Sequence, residues 1–262
     1  MAKDLFSEQA SIYAQYRPTY PDELFDYITS FVPEKETAWD CATGNGQAAI
    51  KLSPHFNKVI ATDISEAQLN KAMPRENITY LVAPAERTPF PDNSFDLVTV
   101  ATAYHWLNWK LFREEVSRVA KEGAVIAAWT YYNLLTDDKS LADLYAHFYK
   151  NIIHPYWDYE RRYVDERYET VEFDYEPLPT RPFHTELQWT RQQFRGYLES
   201  WSGVQRYKEA NNTSPLALIE KDLERIWPNG EIKTITFPIA LLLGWVNTPN
   251  PSMGAFLHEP TL

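Results

Sequence analysis

Eight consecutive residues, Asp40-Cys41-Ala42-Thr43-Gly44-Asn45-Gly46-Gln47, join a short apolar run to a helical stretch. Two glycines let a backbone turn tightly and approach a ligand closely, and the N-terminus of the following helix presents free amides. About 20 residues further on comes Asp63, an acid placed to accept hydrogen bonds from both ribose hydroxyls of an adenosine. Gly44, Gly46 and Ala49 also satisfy the dinucleotide pattern G-x-G-x-x-G/A, so the loop by itself suits a nicotinamide-dependent oxidoreductase almost as well. Asp40 tilts the choice, because it would repel a pyrophosphate yet could face the cationic amino group of a methionine moiety. The plain alternative for Asp63 is a helix-capping acid. Cys41 reads as a small buried residue rather than a nucleophile, since no basic partner adjoins it.

These residues need a scaffold that brings strand ends together. Strand-like runs occur at 38–42, 58–62, 78–82, 95–100 and 124–130, with helical stretches at 47–53, 66–73 and 110–121 between them. Ser65 followed by Gln68 is a capping-box pattern that starts the second of these helices. Strands alternating with helices imply an α/β fold, a doubly wound, mostly parallel sheet with ligands at the strands' carboxyl ends. Residues 134–182 carry aromatics and charges without strand alternation and read as a helical cap insertion on the substrate side. Residues 184–190 alternate as a strand, 190–208 and 215–227 look helical, and 232–246 form an interrupted strand or strand pair broken at Pro238. The expected division is N-terminal helices and cofactor-binding core over 1–133, cap over 134–182, the rest of the core over 183–246, and a flexible tail over 247–262.

Composition narrows the partners. A net charge of -11 over 262 residues argues against nucleic acid, which needs a concentrated basic face. The single cysteine allows no internal disulfide, the start MAKDLFSEQ has no apolar signal-peptide core, and the longest apolar stretch, 239–246, is too short for a bilayer. A cytoplasmic protein, monomer or homodimer, without a membrane partner is expected. His55, His147, His154, His184 and His258 are scattered without metal-ligand spacing, so no metal is expected. Nine Trp, 17 Tyr and 13 Phe suit either an aromatic core or a small-molecule pocket.

After the third strand come Ala83-Pro84-Ala85-Glu86 and Pro89-Phe90-Pro91-Asp92-Asn93-Ser94-Phe95-Asp96. With the glycine loop and Asp63, this order resembles class I S-adenosylmethionine-dependent methyltransferases of the UbiE/trans-aconitate type, which carry a methyltransferase type 11 domain. The trans-aconitate-like branch is further resembled by Phe6 to Tyr13, Tyr16-Arg17-Pro18-Thr19-Tyr20-Pro21, Ala103-Tyr104-His105-Trp106 and Tyr197-Leu198-Glu199-Ser200-Trp201-Ser202 with Tyr207-Lys208. The similarity runs from Phe6 to about Val246 and implies a seven-stranded Rossmann-like sheet with helices on both faces.

The resemblance also implies roles. Asp40, Gly44 and Gly46 would surround the methionine end of S-adenosylmethionine, with S-adenosylhomocysteine as product. Asp63 would bind the ribose, Ile64 would lie against the adenine, and Ala85 and Glu86 would contact it from the next loop. Ala101 and the residues after it would flank the sulfonium, and Tyr13 and Arg17 would reach the cofactor's carboxylate. Ala42 stands where many members have the first glycine, an exchange that a negative φ would allow. His105 is open to three readings: general base, donor orienting an acceptor carboxylate, or packing residue between Tyr104 and Trp106. The acceptor pocket is expected to combine Tyr104, His105 and Trp106 with Tyr156, Trp157 and Tyr159 of the insertion and Trp201. A small-molecule acceptor, with a small carboxylic acid as the resemblance suggests, is the expected substrate. The alternatives are an NAD(P)-dependent oxidoreductase on the same loop and a non-catalytic cofactor-binding protein.

Overall fold

Strands covered on both faces read as near-continuous apolar runs, and this chain has five of them before residue 132. A computed structural model describes residues 16–247. In it β1 (Thr37–Cys41), β2 (Lys58–Asp63), β3 (Ile78–Val82), β4 (Phe95–Ala101) and β5 (Ala120–Tyr131) run parallel in the order β3-β2-β1-β4-β5. Side chains of β5 alternate between two apolar clusters. Val125, Ala127 and Trp129 meet α1 (Asp22–Ser30) and α2 (Gln47–Leu52) on one face. Ile126 and Ala128 join Phe112, Val116 and Val119 of α4 (Trp109–Val119) on the other. The sheet is therefore doubly wound, as the residue pattern requires.

The helix expected over 66–73 is a single turn, α3 (Glu66–Leu69), capped by the Ser65 hydroxyl accepting the Gln68 N–H at 3.2 Å. Pro74 disfavours helical geometry in the residue before it and helps to stop the extension. The Asp92 to Asp96 stretch acts as a clamp. Asp96 is buried and accepts the backbone N–H groups of Glu36 and Thr37 at 3.1 and 2.8 Å and the Lys121 ammonium at 2.7 Å. It thereby fixes the entry of β1 against β4. Phe90 and Phe95 pack on the buried Trp39 ring, each 5.8 Å away.

Beyond β5 the chain builds a helical layer. It comprises α5 (Lys139–His147), a π-helical turn (Phe148–Ile153), a 3-10 turn (His154–Tyr156) and α6 (Arg161–Asp165). The chain then re-enters the sheet through β6 (Glu176–Pro177) and β7 (Phe183–Thr190). The stretch expected as one helix over 190–208 is two, α7 (Arg191–Glu199) and α8 (Ser202–Asn211), separated at Ser200 and Trp201. A 3-10 turn (Pro215–Leu218) and α9 (Glu220–Ile226) precede β8 (Ile232–Trp245).

The sheet has eight strands where seven are expected, the extra one being the two-residue β6. The break expected at Pro238 is absent, because β8 runs unbroken for 14 residues. Its first half pairs antiparallel with β7 and its second half antiparallel with β5, and Pro238 lies at the changeover. A residue without an N–H is tolerated there because one ladder ends where the other begins.

Candidate functional site

The glycine loop leaves β1 at the sheet's carboxyl edge and closes on itself. The Thr43 N–H donates to the Thr62 carbonyl at 2.9 Å, and the Gly46 N–H donates to the Thr43 carbonyl at 3.0 Å. Three residues take left-handed backbone conformations: Ala42 at φ 52°, Gly44 at φ 58° and Gly46 at φ 83°. A Cβ on Gly44 would meet nothing within 4 Å, so that turn faces open space; one on Gly46 would strike the Tyr80 hydroxyl at 2.6 Å. Ala42 corrects an expectation, since its φ is positive. The turn geometry demands the left-handed region there, and a Cβ in that region costs about 1–2 kcal/mol.

Asp40 is fully buried beneath the loop. Its Oδ2 accepts the Thr43 hydroxyl and its Oδ1 accepts the Thr99 hydroxyl at 2.8 Å. Burial outweighs these bonds and pushes the carboxyl up to about 6, with the nearby Asp63 charge adding to the rise. Asp63 holds the loop from the next strand: Oδ2 accepts the Gly44 N–H and Oδ1 the Ser65 N–H, each at 2.8 Å. Ile64, beside it, is 37% exposed, and Leu81 and Val82 at the end of β3 are exposed too. Ala85 is buried, and half-buried Glu86 accepts the Asn108 N–H at 3.0 Å. The structure thus gathers Asp40, Gly44, Gly46, Asp63, Ile64, Ala85 and Glu86 around one strand edge. Tyr13 lies outside the described residues.

Next to this crevice, past Ala101 at the end of β4, is a small, partly open pocket. Arg17, Thr102, His105, Trp106, Tyr131, Trp157 and Arg161 are among its walls. Thr102 takes φ 55°, an outlier for a β-branched residue, and its hydroxyl bonds the Tyr20 hydroxyl at 2.9 Å. Arg17 donates from Nη1 to the Tyr131 hydroxyl at 3.0 Å and from Nη2 to the Ser200 carbonyl at 3.1 Å.

Arg161 reaches the pocket from α6. Its Nε donates to the Tyr149 hydroxyl at 3.1 Å and to Asp165 at 3.3 Å, and its guanidinium lies 4.8 Å over the Trp157 ring. Among the described residues, its Nη1 and Nη2 make no hydrogen bond. His105 is buried, with Nδ1 2.9 Å from the Tyr168 hydroxyl. Burial, with the Arg161 charge second, lowers its pKa to about 3, so the imidazole is neutral.

The other residues expected in the acceptor pocket sit elsewhere. Tyr104 is buried in the apolar cluster under α4, its hydroxyl on the Glu172 carbonyl at 2.7 Å. Trp201 is buried behind Trp157, 5.4 Å ring to ring, and supports the pocket wall. Tyr156 packs on Tyr207 at 4.9 Å, and Tyr159 is exposed. The residue pattern does not single out Arg161, Tyr131 and Thr102 as pocket residues, nor Tyr168 as the buried partner of His105. For Arg161 a signal existed, a cation within an aromatic-rich insertion; for Tyr168 no local signal distinguishes it from the other tyrosines. Among the described residues, no group of His, Cys, Asp and Glu could hold a metal ion, and no helix is long and apolar enough to cross a membrane.

Residues 39–128, from β1 to β5, match the family model described as a methyltransferase domain. A Dictyostelium discoideum protein named as a methyltransferase is 32% identical over 92% of this chain and 94% of its own length. A Saccharomyces cerevisiae protein named as an S-adenosylmethionine-dependent methyltransferase is 30% identical over 47% of this chain and 45% of its own. The solved structure of an Anaeromyxobacter dehalogenans protein, described as a type II methyltransferase, superposes with a TM-score of 0.82 at 35% identity, over 90% of this chain and all of that one. The chain belongs to the S-adenosylmethionine-dependent methyltransferase family.

Proposed function

We propose that this methyltransferase acts on a small molecule bearing an anionic group, with a small carboxylic acid as the substrate class. The observation that carries the reading is Arg161, a mostly buried guanidinium whose two terminal nitrogens make no hydrogen bond among the described residues while it lines the pocket. A buried cation without a full set of acceptors is costly, and a planar carboxylate accepts two parallel bonds from such a fork. Trp106 and Trp157 add apolar walls that suit a partly hydrocarbon acid.

The loop residues fit the cofactor. Open space at Gly44 admits a close ligand, and Asp63 stands beside that turn at the end of β2, where it would meet the ribose. Asp40, with its carboxyl raised by burial, gains from a nearby cation, which the methionine end supplies. Asp40, Asp63 and Glu86 together disfavour the pyrophosphate of a dinucleotide. In this reading Ile64, Ala85 and Ala101 flank adenine and sulfonium, and Tyr13 and Arg17 serve the cofactor's carboxylate. His105 and Trp106 stand on the acceptor side under the cap of 134–182. The cofactor supplies an activated methyl group; the protein's share is to hold the acceptor in line with it and keep water out. The reading places the protein in the cytoplasm as a monomer or homodimer, with neither nucleic acid nor membrane as partner.

The test is a methylation assay on metabolite extracts with mass-spectrometric detection, run beside Arg161→Gln and beside titrations with S-adenosylhomocysteine and NAD(H). New methylated acids made by the wild type and missing with the variant support the reading. Turnover confined to neutral or cationic acceptors, or NAD(H) binding in place of S-adenosylhomocysteine, rejects it.

A further inference from the structure

The chain from α5 to α6 folds two aromatic rings and a carboxylate around one guanidinium. The π-helical turn Phe148–Ile153 bonds i to i+5, so it takes in one more residue than an α-turn and re-aims the side chains beyond it. Tyr149 is a buried residue of that turn, with the Trp157 ring 5.8 Å from its own and the Trp201 ring edge-on at 5.7 Å. Gly203 of α8 closes this wall from behind. A Cβ there would meet Ile153 at 2.8 Å and Trp157 at 3.1 Å, so the missing side chain is what lets the helix come this near. Arg161 lies over both rings, 5.5 Å from the centre of Tyr149 and 4.8 Å from that of Trp157.

The bonds among these groups run in one direction. The Tyr149 hydroxyl lies 2.5 Å from Asp165 Oδ1, and a carboxylate only accepts, so the phenol proton goes to Asp165. Burial keeps that phenol protonated, lifting its pKa above the ordinary tyrosine range. The Tyr149 oxygen then has lone pairs to offer. The one proton on Arg161 Nε is shared between that oxygen at 3.1 Å and Asp165 Oδ1 at 3.3 Å. Asp165, four residues on along α6, also supplies the counter-charge that a mostly buried guanidinium needs before any ligand arrives. Nη1 and Nη2 make no hydrogen bond among the described residues, and Arg161 is a wall of the pocket.

We infer that Tyr149 and Asp165 are positioning residues that pin Arg161 by its Nε, so that Nη1 and Nη2 meet a carboxylate from a side chain already ordered. This pinning sets the pocket's preference for an acid over the matching neutral amide. The preference rests on the anionic-acceptor reading; the pinning stands on the protein alone. An arginine loose at Nε loses rotamer freedom when it binds a ligand, whereas a pinned one has lost it on folding. Tyr149→Phe isolates the effect, since it keeps the ring beside the guanidinium and changes no charge.

Two measurements test it on the whole chain. Proton–nitrogen spectra of arginine-labelled protein, with the Arg161 signal assigned by its loss in Arg161→Gln, read how fast the Nε proton exchanges with water. Exchange is expected to be slow in the wild type and about tenfold faster in Tyr149→Phe and Asp165→Asn, the worth of one hydrogen bond. A wild-type Nε proton that exchanges as fast as those of exposed arginines overturns the inference, whether or not the variants fold. Calorimetry with benzoate and benzamide as probes, in the presence of S-adenosylhomocysteine, reads the preference. The wild type is expected to favour benzoate. Tyr149→Phe is expected to bind benzoate about tenfold more weakly, with benzamide and S-adenosylhomocysteine affinities unchanged. If Arg161→Gln abolishes the preference but Tyr149→Phe leaves it intact, the inference is overturned and the anionic-acceptor reading stands. Binding of neither probe, or a wild type indifferent between them, removes that reading and the preference with it, and the exchange rates still decide the pinning.

Discussion

Asp63 Oδ2 accepts the Gly44 backbone N–H at 2.8 Å, so the acid of β2 holds the turn that follows β1. The carboxylate shapes the glycine loop before any ligand arrives. Replacing Asp63 by Asn weakens the charge-assisted bond to Gly44 and to a ribose together. Hydrogen bonds to charged groups are worth about 1.5–3 kcal/mol, so S-adenosylhomocysteine affinity is expected to fall about 10- to 100-fold. Calorimetry measures the loss, and faster hydrogen exchange at Gly44 reports the loosened turn. Undiminished affinity would detach Asp63 from the cofactor.

Asp40 makes stability depend on pH in a defined direction. Its folded-state carboxyl, pushed up to about 6, lies above the ordinary value of 3.8. The folded protein therefore holds this proton more tightly than the unfolded chain. Stability from this group is complete below about pH 4 and is lost as pH rises through 6. Two pKa units correspond to roughly 3 kcal/mol, an order-of-magnitude figure. Asp40→Asn should flatten that slope and unfold at higher temperature than the wild type at pH 8 without ligand, while binding S-adenosylhomocysteine more weakly. Urea or thermal unfolding at pH 4.5, 6 and 8 decides the sign.

Ala42 at φ 52° predicts a stabilising glycine. Relief of the left-handed Cβ is worth about 1 kcal/mol in Ala42→Gly, less a small entropic cost in the unfolded chain. For a chain of this size that raises Tm by about 2–4 °C. A lower Tm would mean that the Ala42 methyl packs usefully enough to outweigh the strain.

Arg161→Gln separates acceptor binding from cofactor binding. KM for an anionic acceptor is expected to rise about 100-fold, as for truncation of one member of a buried charge pair, with S-adenosylhomocysteine affinity unchanged. Loss of the guanidinium over Trp157 costs stability too, about 1 kcal/mol, visible as a modest Tm decrease. Equal loss of both affinities would make Arg161 a general support of the fold.

The parallel core was legible because its signals are local. Apolar runs of period one, a glycine pair and an acid at a strand end each follow from short-range geometry, and β1 to β5 fall where those runs stand. Ser65 announces α3 correctly as a cap, yet the helix ends after one turn because capping starts helices without setting their length. The left-handed Ala42 was not legible, since alanine ordinarily avoids that region and only the closed loop enforces it. The pocket past β4 was legible in part. Trp106, Trp157 and His105 reach the pocket, whereas Tyr104 and Trp201 turn into apolar clusters. Aromatic residues serve core and ligand alike, so their type cannot say which side of a wall they occupy. Tyr168 depends on a backbone kink 63 residues from its partner, a relation no local pattern carries.

The long β8 strand bears on how such a protein acquires new acceptors. One continuous ribbon is hydrogen-bonded along half its length to β5 and along the other half to β7. The segment between Tyr131 and Phe183 leaves and rejoins that ribbon opposite the same residue, Ile239, and is tied to it again through Leu135 and β6. A different segment spliced there would have to keep those pairings to reshape the pocket, while the glycine turn is held independently by Thr62 and Asp63 of β2.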